Sequence, residues 1–412
     1  MNNAAPAGPP VPEVREAVPA DEAGPLIFLI AGEPSGDLLG ARLMAALKSQ
    51  CGGRVRFAGI GGAAMAVEGL ESTVPIEDLT VMGLVEVLPY LPRIIGHIRR
   101  TAALVRSLRP DVLVTIDSPN FSLEVAKRAA GQGIPLVHYV APSVWAWKPW
   151  RAKRMAGYLD RLLTLLPFEP PYFERHGLAS TFVGHPAVEA AAAGGNPAVF
   201  RQSQDIPPDA PLICVLPGSR RSEVRRLLPV FGETLGRLAG EFPGLRAVVP
   251  TVPGVADEVA AVAKLWPLPT AVLASPAAKY QAFAAADAAV AASGTVAVEL
   301  AVAGVPTVIA YRLSPLSGFL APLLLKIRYV SLPNILLDRE VQPECLQRDC
   351  NAKNLAKALA NLLRDPAARA AQKDGARAAV AKLGGGGTET PSQRAARCIL
   401  EVIQTGARAR LS

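Results

Sequence analysis

Short, uninterrupted apolar runs alternate with longer stretches of helical periodicity along nearly the whole chain. Leu26–Ile30, Val112–Ile116, Leu136–Val140 and Leu162–Leu166 each have the length and apolar continuity of a strand buried on both faces. The pattern then restarts with Leu212–Leu216, Ala247–Val249, Ala271–Leu273, Ala288–Ala291 and Thr307–Tyr311. Strands alternating with helices predict parallel sheets covered by helices on both faces. Between the two series lies AAAGGNPAVFRQSQDIPPDAP, residues 191–211, whose Ala, Gly and Pro content marks a boundary. The expectation is an α/β chain of two Rossmann-like, doubly wound domains, 25–195 and 205–390, with a cleft between them as the site. Residues 1–24 read as a disordered Ala/Pro tail, lacking the basic start and apolar core of a secretory signal. Residues 391–412, from the end of GGGGTETPS on, read as a segment returning to the first domain.

Composition narrows the function without fixing it. Half of the 412 residues are hydrophobic and 19% are charged, enough for two cores. A net charge of +8 fits a nucleic acid, an anionic membrane surface or a phosphorylated small substrate. Aromatics make up only 5% of the chain and no nucleic-acid module is visible, so no nucleic-acid partner is expected. The five cysteines are scattered without a CxxC pair and read as reduced packing residues. The longest apolar stretch, Leu316–Leu337, is cut by Pro322, Lys326, Arg328 and Pro333, short of the ~20 residues a span requires.

Chemistry-bearing residues collect where strands end. In LIFLIAGEPSGD the strand runs into a turn holding Glu33, Ser35 and Asp37 among small residues. These acids could meet ligand hydroxyls or cap the following helix. In LPGSRRSEVRR, Gly218 and Ser219 form a tight turn, Arg220 sits in it, and a helix follows through Val224, Leu227, Leu228, Phe231, Leu235 and Leu238. A helix start beside an arginine is a ready anion site. Pro229 predicts a kink in that helix. In AASGTVAVELAVAGVP, Ser293, Gly294 and Thr295 supply further N–H and hydroxyl donors. Glu299 is the lone acid on an apolar helix, placed to reach a diol or to face solvent. Asp117 ends the buried run Val112–Ile116 and is followed by the turn-forming Ser118-Pro119; it could be a base or a loop cap. GIGGAAM lacks a full dinucleotide fingerprint and suits close backbone packing or acceptor contact. Of the four histidines only His185, in a Gly-His-Pro turn, is a candidate ligand contact.

The Ser-Gly turn and the glutamate before Gly304-x-Pro306 resemble the donor half of two-domain glycosyltransferases of type B fold. Read in order, AGEPSGDLLGARLMAALK, GIGGAAM, APSVWAWKPWRAKRM, LPFEPPYFERHG, FVGHP, LPGSRRSEV and YVSLPNILLDRE are similar to the lipid-A-disaccharide synthase family. The resemblance extends from about Leu26 past Arg394 and implies an inverting transfer of 2,3-diacylglucosamine. The donor would be UDP-2,3-diacylglucosamine and the acceptor 2,3-diacylglucosamine 1-phosphate. It implies Asp117 as base, Gly218, Ser219, Arg220, Ser293, Gly294 and Thr295 around the diphosphate, Glu299 at the ribose, and Asn334 near the donor. Where the family has a second acid and an asparagine, this chain has Asn120 and Ser122. No Asp-x-Asp occurs, so no metal or other cofactor is expected, arginine and helix dipoles standing in for Mg²⁺. For lipid substrates at an anionic inner-membrane surface on the cytoplasmic side, the candidate face runs through Val81, Met82, Leu84, Val87, Leu88, Leu91, Arg93, Arg99, Arg100 and Arg106. Trp145, Trp147 and Trp150 among basic residues are a second candidate, and ordinary core helices with basic outer faces are the alternative. Rival functions are a UDP-sugar 2-epimerase-like enzyme and a non-catalytic UDP-sugar binding or sensing protein.

Overall fold

The run Leu26–Ala31 is apolar at every position and all but its first residue is buried, as a strand flanked by neighbours and covered on both faces must be. It is β1 of a parallel six-stranded sheet. The others are β2 (Arg56–Ile60), β3 (Val112–Ile116), β4 (Leu136–Tyr139), β5 (Arg161–Thr164) and β6 (Ser180–Phe182), in the order β2-β1-β3-β4-β5-β6. A second parallel sheet holds β7 (Leu212–Leu216), β8 (Arg246–Pro250), β9 (Thr270–Leu273), β10 (Ala288–Ala292), β11 (Thr307–Tyr311) and β12 (Glu344–Leu346), ordered β12-β11-β10-β7-β8-β9. Counted within its own half, that is the doubly wound order 3-2-1-4-5-6. The structure, a computed structural model, describes residues 24–79, 91–192, 194–313 and 328–411. Val81, Met82, Leu84, Val87 and Leu88 lie outside them.

The chain separates into two compact units. One takes the described residues through Tyr139 with Tyr158–Asp160 and the chain from Ala396 on; the other takes Val140–Gly157 and Arg161–Ala395. In the second unit, the helix Arg221–Ala239 buries Val224, Leu227, Leu228, Phe231, Leu235 and Leu238 on β7, β8 and β10. It is continuous across Pro229, so the expected kink does not end it. Burying side chains of this size contributes roughly 1.5–3 kcal/mol each, which outweighs the hydrogen bond a proline removes. A second cluster on the opposite face joins Leu212, Cys214, Leu216, Phe283, Leu300 and Ile309. Cys51, Cys214, Cys345 and Cys350 are free thiols.

Candidate active site

In the second sheet the chain departs in opposite directions from β7 and β10, which are neighbours in register with Ala291 beside Leu216. Ligands in open α/β sheets bind at such a switch point, beyond the carboxyl ends of the strands. A cleft of about 330 Å³ lies there, lined by Gly218, Ser219 and Arg220 after β7 and by Ser293, Gly294, Thr295 and Glu299 after β10. Pro250 at the end of β8 and Thr251 and Val252 after it, with Glu223 and Lys279, add to the wall. The structure thus brings together seven residues picked from two distant motifs.

Each loop has a physical reason for its shape. Gly218 has φ of +105°, and a Cβ there would lie 2.7 Å from a Glu223 carboxylate oxygen. Only glycine meets both demands. Arg220 is the N-cap residue of the helix Arg221–Ala239, and Gly294 caps the helix Thr295–Val302, so two helix N-termini line the cleft. The first N–H groups of a helix have no partner within it and carry partial positive charge. The Arg220 guanidinium is 2.9 Å from Glu223. Glu299 receives Lys279 Nζ on both carboxylate oxygens at 2.9 Å, and the Tyr280 hydroxyl donates to one of them at 3.1 Å. Glu299 is therefore neither alone nor merely solvated. Thr251 Oγ1 is buried in the wall and has no hydrogen-bond partner among the described residues, a group a ligand would satisfy.

Sequence reasoning missed Glu223, Lys279 and Thr251. Glu223 stands three residues after Arg220 and was visible as the third residue of a helix. Lys279 meets Glu299 from a different helix, 20 residues away, and no local signal marks it.

Asn334, expected near the donor, is not among the residues that line the cleft. It is fully buried and its amide is consumed: Nδ2 donates to the Gln342 carbonyl and to Glu344, and Oδ1 accepts from the Val341 and Gln342 N–H groups. Glu344 in turn accepts from the Val330 and Ser331 N–H groups. The Val330 carbonyl accepts from Ser293 Oγ at 3.0 Å. Asn334 therefore supports the Ser293 loop from behind and does not line the cleft.

In the first unit the neighbouring ends of β1 and β3 meet. A Cβ on Gly32 would lie 2.6 Å from Ser118 Oγ, which puts the Gly32–Glu33 turn against the Asp117–Ser118 turn. Asp117 and Ser118 both adopt left-handed backbone, φ of +48° and +45°. Strain of this kind costs of order 1–3 kcal/mol per residue and clusters at functional sites. Burial pushes the Asp117 carboxyl above the usual range, with a Ser118 backbone hydrogen bond opposing it. Asn120 is exposed, while Ser122 is buried and its hydroxyl has no hydrogen-bond partner among the described residues. Glu33 is the half-buried N-cap residue of the helix Pro34–Gln50, without a side-chain capping bond, and Ser35 is exposed.

Asp37 departs from the reading that it caps or meets a ligand at its own turn. Its carboxylate faces the GIGGAAM loop, accepting from the N–H groups of Gly62, Ala64 and Met65 at 2.8, 2.9 and 3.0 Å. It caps the next helix, Ala63–Val67, and leaves its own uncapped. His185 is buried in the second unit, where its ring Nδ1 accepts from the Ala187 N–H at 3.2 Å and its backbone N–H donates to the Leu383 carbonyl. Burial pushes its pKa down to about 4. It is a turn-holding neutral histidine outside the cleft lining.

The helix Leu91–Leu108 buries His97, Ile98, Thr101, Ala102 and Val105 and turns Arg93, Arg99, Arg100 and Arg106 outward. Arg93 pairs with Asp78 at 2.7 Å. Trp147 and Trp150 are exposed, with Lys148 Nζ 4.1 Å from the Trp147 ring, while Trp145 packs edge-on against Phe168. Among the described residues no helix is long and apolar enough to cross a membrane.

Comparison with known proteins resolves what the geometry leaves open. Solved structures of similar fold include a Staphylococcus aureus MnaA–UDP complex (TM-score 0.61, 12% identity, 92% of this chain and 95% of that one). Acinetobacter baumannii MurG is another (TM-score 0.56, 16% identity, 92% and 99%). At such identities they establish the two-domain glycosyltransferase type B fold and nothing finer. A curated lipid-A-disaccharide synthase of Rhodospirillum centenum is 54% identical over 380 residues, covering 92% of this chain and 94% of the relative. The Paramagnetospirillum magneticum enzyme of the same name is 54% identical over 385 residues, covering 92% and 98%. The family model for lipid-A-disaccharide synthetase matches residues 27–398, and the chain belongs to that family of glycosyltransferases.

Proposed function

We propose that the chain transfers 2,3-diacylglucosamine from its UDP derivative to the 6-hydroxyl of 2,3-diacylglucosamine 1-phosphate, with inversion, giving the β-1,6 disaccharide 1-phosphate and UDP. The observation that carries this reading is the cleft at the β7/β10 switch point. Two helix N-termini and Arg220 face one space there, beside a carboxylate held at Glu299. Arg220 and the backbone N–H groups of the Gly218–Arg220 and Ser293–Thr295 turns bind the diphosphate, and Glu299 accepts from the ribose hydroxyls. Asp117 takes the proton of the acceptor 6-hydroxyl. That oxygen bonds to the sugar C1 as the C1–O bond to the diphosphate breaks, and UDP leaves with the electron pair. Charge growing on the departing diphosphate meets the guanidinium and the N–H dipoles, which need not reorganise. A carboxyl whose burial raises its proton affinity is a better acceptor at neutral pH. The exposed arginines of Leu91–Leu108 and the exposed Trp147 and Trp150 serve an anionic membrane surface on which both lipid substrates reside.

A transfer assay in detergent with both substrates tests the reading, alongside Asp117→Ala and Arg220→Ala. The native chain should form disaccharide. Asp117→Ala should lose turnover by at least ~10²-fold, the low end of general-base contributions, while keeping UDP affinity. Arg220→Ala should lose UDP affinity. A folded native chain that binds UDP but forms no disaccharide would reject the transferase assignment; isomerised UDP-sugar would replace it with an epimerase.

A further inference from the structure

Among the described residues the cleft contains two cations, Arg220 and Lys279, and each is paired with a carboxylate that also lines it. Lys279 and Glu299 come from separate helices. Arg220 and Glu223 come from the anion-binding turn and the helix that it opens. Glu223 is the third residue of the helix whose N-terminus faces the cleft, and one carboxylate oxygen is 2.9 Å from the Arg220 guanidinium. Its other oxygen lies 2.7 Å from where a Cβ on Gly218 would stand, over the glycine that lets backbone approach a ligand closely. The same negative charge reaches Tyr311 at the end of β11, where burial first and Glu223 second push the phenol up.

A helix N-terminus, an arginine and a glycine turn are the three parts of a phosphate site. Here a side-chain carboxylate pairs with the arginine, lies over the glycine and sits in the first turn of the helix. We propose that Glu223 is a specificity-determining residue that acts as a resident anion, so that a ligand binds only by displacing it from Arg220. A single weak anion gains little by exchanging with a tethered carboxylate. A diphosphate carries more charge and more acceptor oxygens, and can engage the turn after β10 as well. The residue thus rejects stray monoanions and lowers the affinity for product UDP. The inference rests on the reading of this cleft as a UDP-sugar site.

Calorimetric binding of UDP, UMP and uridine to the native chain, Glu223→Gln, Arg220→Ala and the double variant provides the test. Glutamine keeps the shape and removes the charge, and equal thermal midpoints establish that the variant is folded. The UDP dissociation constant should fall about two- to fivefold in Glu223→Gln, the worth of an exposed ion pair, while uridine is unmoved. The gain should shrink in the Arg220→Ala background, because no guanidinium is left to release. UDP binding unchanged in Glu223→Gln, or weakened as it is by Arg220→Ala, would overturn the proposal alone and make Glu223 an orienting partner of Arg220. A native chain that binds no UDP would overturn it together with the function on which it rests.

Discussion

Two side chains show how far burial decides a residue's chemistry. Burial pushes the Asp117 carboxyl above the ordinary aspartate value, so a base at this position, as proposed above, holds its proton to a higher pH than an ordinary aspartate. The expected acid limb of kcat/KM follows: activity rises with pH through that pKa, and Asp117→Asn removes both the limb and the turnover. Stopped-time assays across the acid range check it, and a limb that survives in Asp117→Asn assigns the titration elsewhere. His185 runs by the same physics in a structural role. Its ring must be neutral to accept the Ala187 N–H, and burial holds its pKa at about 4. The unfolded chain takes up the proton near 6.5, so the folded state's advantage is complete above that pH and is lost as pH falls toward 4. At about 1.4 kcal/mol per pH unit this amounts to about 3 kcal/mol across the window. Urea midpoints at pH 7.5 and 4.5 should differ less for His185→Gln than for the native chain; equal differences would exclude His185 as the source.

At the scale of elements, what was legible depended on an unbroken apolar run. β3, β7 and β11 have the bounds their apolar runs predict, and β1, β4, β5, β8, β9 and β10 differ by a residue or two at their ends. β2, β6 and β12 were not foreseen, and each is an edge strand with one hydrogen-bonded neighbour. An edge need not be continuously apolar: Arg56 is exposed in β2, and β6 and β12 are three residues long. The turns after β7 and β10 were legible because glycine, serine and arginine adjoin a strand end in the sequence. Their partners were not, since Lys279 reaches Glu299 only through the fold, and a buried bracing asparagine such as Asn334 looks like a ligand asparagine in one dimension. Edge strands nonetheless matter to the site. Gly59 in β2 has φ of +137° and pairs with Leu29, and a Cβ would stand 1.8 Å from the Leu29 carbonyl oxygen. Gly59→Ala must therefore shift β2 or β1, whose end carries the Gly32–Glu33 turn. The expected loss is about 3 kcal/mol or more, read as a lower urea midpoint. A change below about 0.5 kcal/mol, the usual range of neutral surface substitutions, would mean that the edge pairing is dispensable.

For the whole molecule the question is where an excess charge of +8 is used. A cleft whose two cations are each matched by a carboxylate does not use it. The helix Leu91–Leu108 does present basic and apolar character on its outer face: Arg99 and Arg100 are exposed, and Leu91 and Ile95 are each 39% exposed beside them. Arg93 is partly neutralised by Asp78 and contributes less. Basic residues near an anionic surface are worth about 1 kcal/mol each at physiological salt. Arg99→Glu with Arg100→Glu removes two of them, so partitioning onto vesicles containing phosphatidylglycerol should fall at least about thirtyfold. Sedimentation with vesicles at 50 and 500 mM salt separates the contributions, because screening weakens the arginine term and spares buried aromatic area. Trp147→Ser with Trp150→Ser should instead lower the binding that persists at high salt. If neither pair changes partitioning while the chain still sediments with vesicles, the membrane surface is elsewhere on the protein. Activity in detergent should be unaffected by either pair, since neither lines the cleft, and that contrast separates delivery of lipid substrates from the chemistry performed on them.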